Sequence, residues 1–266
     1  MGNMTRYTAA NRDGWNKFAA DRNALPAQFF LSGGSTLDDF ELEFLPGLRS
    51  KSLLHLACAN GNDSLSLAVH GARVTGVDIS EVAIQIAQQT ADEARLDARF
   101  IASDVYDLPR DLGRFDIVYM SWGGICWMPD LDRWAAIVTD LLLPGGTLSL
   151  FEHHPVWEVL GVRDGDLVLA GDYFGRTPRD MRHADPAKRP AGWTPDAELT
   201  SFVWPVSQVL SALLNAGLRI ERFAEGASAD MYQGLRPDPT WLPAYYVITA
   251  VKPGDRTPQA GDVDST

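Results

Sequence analysis

Ala57, Ala59, Gly61 and Asp78 are the residues whose types and spacing point most directly to chemistry. The first three lie in the turn ACANG, between an apolar run and an amphipathic segment. Their small side chains let a ligand approach the backbone, and the N–H groups that open the following helix can face an anion or a polar ligand. Asp78 ends a second apolar run about 20 residues past the turn, where a carboxylate is placed to accept hydrogen bonds from a ribose diol. Small residues at such a turn also serve plain helix-on-strand packing, and it is the acid at this distance that favours a nucleoside. A-x-A-x-G in place of G-x-G-x-x-G argues against a pyrophosphate ligand.

Three other groups of residues carry chemistry. Asp104 ends a further strand pattern, at the edge where open α/β sheets bind ligands, although an Asp there also suits a turn cap. Glu152, His153 and His154 close a later strand at the same edge. A histidine in that place titrates near neutral pH and can act as a base, orient a substrate group, or be purely structural. Neighbouring strand residues point to opposite faces, so Glu152 and His153 do not converge on a metal, and none is expected. Near the N-terminus, Asn11 and Trp15 are four residues apart and share one face of a predicted helix over 4–24 that also carries Tyr7 and Phe18. That face can cover a site or pack as core.

The elements that position these residues follow from periodicity. Ser52–Asp78 reads strand, helix, strand, a right-handed βαβ unit. Ser80 caps a helix whose apolar stripe is Val82, Ala83, Ile86 and Ala87. Strands are predicted at Ala98–Ala102, Phe115–Met120, Thr147–Glu152, Leu218–Phe223 and in LPAYYVITAVKP. Helices are predicted at Asp130–Leu143, ending in the Pro144-Gly145-Gly146 turn, and at Val206–Ala216, between Pro205 and Gly217. Gly33 and Gly34 make a flexible turn, after which Leu42, Phe44 and Leu45 alternate with acids toward the first strand. Residues 155–203 are rich in Pro, Gly and charge and leave the sheet at the ligand edge, which suggests a substrate cap. The order of elements predicts an α/β fold, a seven-stranded, mostly parallel sheet with helices on both faces.

Composition bounds the partners. The 266 residues suit one α/β domain with additions, and 45% hydrophobic with 22% charged residues is ordinary for a packed globular chain. A net charge of −12 without a basic stripe argues against nucleic acid. No apolar run approaches the ~20 residues of a membrane span, and the N-terminus lacks the apolar stretch of a secretory signal. Two cysteines, Cys58 and Cys126, form no disulfide framework or zinc pattern. The expectation is a soluble, cytoplasmic protein with a small-molecule substrate, no membrane or nucleic-acid partner, and scope for a homodimer.

The runs LLHLACANGNDSLSLA and VTGVDIS resemble motif I and the following motif of class I S-adenosylmethionine-dependent methyltransferases, in a branch whose first motif reads like LHLxCxxGxDSLSLA. The stretch from Phe115 to Val156, with WMPDLDRWA and the PGG turn, is similar to motifs IV and V. The likeness covers roughly residues 40–252 and is strongest over 52–155. His55 stands where most members carry an acid, and Ala57 and Ala59 where they carry Gly. The resemblance implies a Rossmann-like sheet with an antiparallel last strand beside the fifth and S-adenosylmethionine as cofactor. It implies cofactor contacts from Tyr7, Trp15, His55, Ala57, Asn60, Gly61, Asp63, Asp78, Ile79, Ser103, Asp104, Val105, Met120 and Ser121, with Asp104 on the adenine amine. Asn11, Trp122, Trp127, Tyr173 and Phe174 are the candidate substrate residues, and His153 and His154 the candidate catalytic ones. The implied organisation is an N-terminal lid over 1–39, a methyltransferase domain over 40–252 with a cap at 155–203, and a disordered tail over 253–266. Transfer of a methyl group to N, O or C of a small, possibly aromatic molecule is the implied activity. The alternative is a repurposed protein that holds the cofactor without methyl transfer.

Overall fold

Alternation of side chains along the strands decides the architecture. In the computed structural model, which describes residues 2–254 apart from 176 and 237 and only the backbone of residues 2–5, one chain-long sheet separates two apolar layers. The N-terminal segment forms α1 (Gly2–Phe18), α2 (Ala27–Leu31) and α3 (Asp39–Phe44). The βαβ unit follows as β1 (Ser52–Leu56), α4 (Asn62–Val69) and β2 (Arg73–Asp78). Next come α5 (Glu81–Ala94), β3 (Ala98–Ala102), β4 (Phe115–Ser121), α6 (Leu131–Leu141) and β5 (Leu142–His153). A cap then begins with α7 (Pro155–Val159) and holds two small antiparallel pairs. These are β6 (Leu160–Arg163) with β7 (Asp166–Leu169) and β8 (Arg179–Asp180) with β9 (Thr200–Ser201). The chain returns to the sheet through α8 (Val206–Asn215), β10 (Arg219–Gly226) and β11 (Tyr245–Val251).

The seven strands lie in the order β10-β11-β5-β4-β1-β2-β3. β3, β2, β1, β4 and β5 are mutually parallel, and β11 runs antiparallel between β5 and β10. Leu54, Leu56, Val118, Met120, Leu148 and Leu150 point to the face covered by α6 and α8, where Trp134, Val138, Val209 and Leu213 are fully buried. Leu53, Ile117, Tyr119, Phe151 and Val247 point to the other face, against Phe44 of α3 and Leu67 of α4. A strand buried on both faces reads as a continuous apolar run, as SLLHL and FDIVYM do.

Three local readings change. The stretch around Leu42–Leu45 is helical: Asp38 accepts the N–H of Glu41 while Glu41 accepts the N–H of Asp38, a reciprocal cap that starts α3. Helix α6 ends at Leu141, and the Pro144-Gly145-Gly146 turn lies inside β5 as a bulge, because Leu142 pairs with Phe115 and pairing resumes only at Thr147 with Ile117. Lys252 closes that bulge, donating from Nζ to the carbonyls of Thr139 and Leu142 at the end of α6. The strand expected at Leu218–Phe223 extends to Gly226. The tail from Asp255 onward lies outside the described residues. Among the described residues no helix is long and apolar enough to cross a membrane.

Burial separates two tryptophans cleanly. Trp134→Ala, at 0% exposure, should cost about 3–5 kcal/mol through lost burial and a cavity. Trp241→Ala, at 77% exposure, should stay within about 0.5 kcal/mol of wild type. Urea unfolding of both variants measures the contrast.

Candidate active site

β1 and β2 end side by side, and the turn after β1 is held in a conformation that costs energy. Ala57 and Ala59 have φ of 56° and 49°, and Gly61, which precedes α4, has 80°. Left-handed backbone at a residue with a Cβ costs roughly 1–2 kcal/mol, and such outliers cluster where a site over-determines the backbone. The carboxylate of Asp78 is what holds the turn: one oxygen accepts the N–H of Ala59 at 2.8 Å and the other that of Ser80 at 2.9 Å. Each oxygen keeps capacity for another donor. Burial pushes the Asp78 pKa up, against these backbone N–H groups and the charge of Arg22.

A cavity of about 290 Å³ opens over this turn. Ala57, Asn60, Asp63 and His55 line it from β1 and the start of α4, and Asp78 and Ile79 from the end of β2. Ser103, Asp104 and Val105 line it beyond β3, and Ser121, Trp122 and Trp127 beyond β4. Trp122 also has positive φ, 42°, and its indole N–H donates to Glu41 at 2.8 Å. Asp104 accepts the N–H of Tyr106 at 2.9 Å, so it caps the turn while it faces the cavity.

Helix α1 roofs the cavity with Thr8, Asn11 and Trp15. It is tied at both sides. Asn16 accepts from the Ser80 hydroxyl at 2.7 Å and donates to Glu81, fixing α1 to the start of α5. The side-chain amide of Asn11 forms two hydrogen bonds with the backbone of Thr200 in β9, at 2.9 and 2.8 Å, fixing α1 to the cap. The indole of Trp15 stands edge-on to Trp127, 5.1 Å between ring centroids.

Seven of the candidate cofactor, substrate and catalytic residues are not in the cavity wall. Tyr7 packs edge-on to Phe202 of the cap. Gly61 lies behind the turn, where a Cβ would meet Ala87 at 2.8 Å, so it serves close packing against α5. The Met120 side chain is fully buried in the core. Tyr173 and Phe174 pack edge-on to each other in the cap, with Phe174 exposed. His154 caps α7 and bonds Glu225 at 2.8 Å. His153 stands behind the wall, where a Cβ on Gly123 would meet its Nδ1 at 3.4 Å; that nitrogen lies 3.7 Å from Glu158. Glu158 is in turn paired to Arg179 of the cap at 2.6 Å, and His153 and Arg179 help hold its pKa down at about 2, against burial.

One wall residue, Arg22, escaped sequence reading, and two carboxylates, Glu41 and Glu152, support the wall from behind. Arg22 lines the cavity, sits over the Trp15 ring at 5.0 Å and faces Asp78, but nothing in its polar surroundings marks it. Glu41, which supports Trp122 from behind, was visible as the third residue after an Asp N-cap, a capping-box pattern. Glu152 is 1% exposed, and its oxygens accept the N–H groups of Gly123 at 2.9 Å and Ile125 at 2.7 Å, pinning the loop beyond β4 from below. Among the described residues no cluster of three His, Cys, Asp or Glu side chains could hold a metal ion.

Residues 53–146, which carry β1 to the start of β5 and most of this wall, match the family model described as a methyltransferase domain. Over that segment the chain is similar to methyltransferase domains. The chain is similar over 101 residues, at 37% identity, to a ubiquinone biosynthesis O-methyltransferase of Coxiella burnetii, covering 38% of this chain and 43% of that one. It is 32% identical over 119 residues to a demethylmenaquinone methyltransferase of Thermus thermophilus, covering 44% and 52%. The chain thus spans about half the length of these curated relatives or less. The likeness of fold extends further: an S-adenosylmethionine-dependent methyltransferase of Mesorhizobium loti superposes with a TM-score of 0.62 at 21% identity, over 80% of this chain and 95% of that one. A [4+2]-cyclase has the same fold, with a TM-score of 0.58 at 19% identity, over 92% and 96%.

The loop beneath the cavity has a pH signature. Burial pushes the Glu152 pKa up to about 7 from 4.5. A carboxyl whose folded pKa is raised stabilises the fold fully below the unfolded value and loses that contribution as pH rises through the folded one. Stability against urea should therefore carry a component that falls between about pH 4.5 and 7. Glu152→Gln should lack that component in urea titrations across the same window.

Proposed function

We propose that this chain binds S-adenosylmethionine in the cavity over β1, β2 and β4 and transfers its methyl group to a small acceptor. The observation that carries the reading is the strained turn at Ala57–Gly61 locked to Asp78, whose carboxylate retains acceptor capacity toward the cavity. The residues fit a nucleoside with a polar tail. Asp78 suits a ribose diol, Ile79 and Val105 the faces of a base, Asp104 with Ser103 its edge, and His55, Ala57, Asn60, Asp63 and Ser121 the tail, with Gly61 and Met120 supporting from behind. Tyr7 and Trp15 belong to the α1 roof, so residues 1–39 act as a lid and 155–203 as the cap that holds it.

S-adenosylmethionine bound there supplies an electrophilic methyl group on a sulfonium. The protein's part is to align an acceptor and exclude water, which can lower a barrier by about 7–11 kcal/mol without a dedicated acid or base. Trp15, Trp122 and Trp127 offer aromatic faces near a cation and a flat wall for a planar acceptor. Asn11 keeps the roof over them, and Tyr173 and Phe174 lie in the cap through which an acceptor enters. Relatives named for ubiquinone and demethylmenaquinone methylation make quinone-like aromatic molecules the first acceptors to test, at oxygen or carbon. His153, behind Gly123 and 3.7 Å from Glu158, is the candidate general base; His154, bound to Glu225, is structural in this reading.

His55, Ala57 and Ala59 depart from the common motif and keep alive a second reading, cofactor binding without transfer. Release of S-adenosylhomocysteine with aromatic acceptors separates the two. Cofactor binding itself is tested by Asp78→Ala. Hydrogen bonds to a charged group contribute roughly 1.5–3 kcal/mol each, so calorimetric affinity for S-adenosylhomocysteine should fall at least about tenfold. Unchanged affinity would remove the ribose assignment.

A further inference from the structure

Arg22 is the one Lys or Arg among the described residues of the cavity wall, and the fold fixes its backbone while leaving its donors free. It ends the short turn Ala19–Asp21 that follows α1, with its own N–H on the carbonyl of Ala19. The residues after it are clamped to the start of α4, where Asn62 donates to the carbonyl of Asn23 at 2.7 Å and accepts the N–H of Leu25 at 3.0 Å. Before it, Asn16 ties α1 to Ser80. The guanidinium lies 5.0 Å over the Trp15 ring, a stacking that orients its plane.

A guanidinium has five N–H donors, set in a fork that matches the two oxygens of a carboxylate. Among the described residues, the Arg22 side chain has no hydrogen-bond acceptor and no carboxylate within 4.0 Å. Asp78 is the carboxylate whose charge it feels, from beyond ion-pair distance, while the Asp78 oxygens accept from Ala59 and Ser80. Burial pushes the Arg22 pKa down against that charge, and an arginine remains cationic at pH 7 all the same. A stacked cation whose donors open onto a cavity suits a ligand group with anionic oxygens.

The function proposed above leaves this place to the second ligand. S-adenosylmethionine has one anionic group, its carboxylate, and that reading puts it with the tail at His55, Ala57, Asn60, Asp63 and Ser121. Arg22 stands instead over the ribose end, beside Asp78, where the cofactor carries no anion. From there Trp15 continues the wall toward the loop beyond β4, edge-on to Trp127 with 5.1 Å between ring centroids. Arg22, Trp15 and Trp127 thus form one strip of wall, a cation followed by two indoles.

We propose that Arg22 is a specificity-determining residue for the acceptor, anchoring an anionic oxygen group, a carboxylate or a comparable acid, on an aromatic acceptor whose ring lies along Trp15 and Trp127. The inference rests on the reading that the cofactor is S-adenosylmethionine. It narrows the acceptor class to aromatic acids.

The test uses the full chain saturated with S-adenosylhomocysteine and two probes of one shape, 2-naphthoate and its neutral isostere 2-naphthamide. Calorimetry should show 2-naphthoate bound at least about tenfold more tightly, as a hydrogen bond to a charged group implies. Arg22→Met keeps an unbranched chain against Trp15 without the charge, and should bring the two probes within about threefold of each other by weakening 2-naphthoate alone. Binding of 2-naphthamide reports that the variant is folded. Arg22→Lys keeps the charge but loses the fork; its preference should fall between, and it carries the test if Arg22→Met does not fold. Equal affinity for the two probes in the wild-type chain, binding of neither, or a preference that survives Arg22→Met would overturn the assignment. So would a loss of S-adenosylhomocysteine affinity in Arg22→Met as large as that of 2-naphthoate, because Arg22 would then belong to the cofactor. A wild-type chain that binds no S-adenosylhomocysteine overturns the function proposed above, whereas one that binds it and shows no preference overturns this inference alone.

Discussion

The site depends on a carboxylate that the fold takes out of water. Asp78 closes the gap between β1 and β2 by accepting the N–H of Ala59 from one side and of Ser80 from the other, so one side chain sets both the cavity floor and the start of α5. Two alanines with left-handed backbone are tolerated in that turn because the anchor is buried and bonded. The same device recurs across the cavity, where Glu152 holds the loop after β4 by accepting the N–H groups of Gly123 and Ile125. Both sites trade the desolvation of an acid for a rigid loop at a strand end, and both raise the pKa of that acid.

Around this floor the walls come from segments far apart in the chain. Helix α1 crosses from α5, where Asn16 binds Ser80, to the cap, where Asn11 binds Thr200 across a separation of 189 residues. The cap has a small apolar cluster of its own, Met181, Ala184, Ala197 and Leu199, which packs on Phe18 of α1 rather than on the sheet. The roof is therefore packed on the cap as well as tied to the start of α5.

The sheet was legible because its strands are buried on both faces and its helices carry caps and stops. Ser52–Leu56, Ala98–Ala102 and the start of α8 after Pro205 stand where periodicity places them. The misreadings have physical causes. Acids alternating with apolar residues around Leu42 imitate a strand, but the Asp38 and Glu41 cap selects a helix. A Pro-Gly-Gly sequence signals a turn, but strand pairing on both sides and Lys252 behind it absorb it as a bulge.

By itself, the sequence determined the order of the sheet strands and their helices, the small-residue turn, and the acid at the end of β2, because these depend on local spacing and side-chain period. Tertiary structure alone decided which side chains meet. Arg22 reaches Asp78 only because α1 and the turn after it fold back over β2. Asp63 meets Ser121 only because β1 and β4 are neighbours in the sheet, although 58 residues separate them in sequence. His153 and Tyr173 were candidates by residue type, yet the direction of the strand end and the packing of the cap leave both outside the cavity wall. Periodicity assigns a residue to a face, but the burial, charge and partners it finds there come from elements that no local pattern specifies.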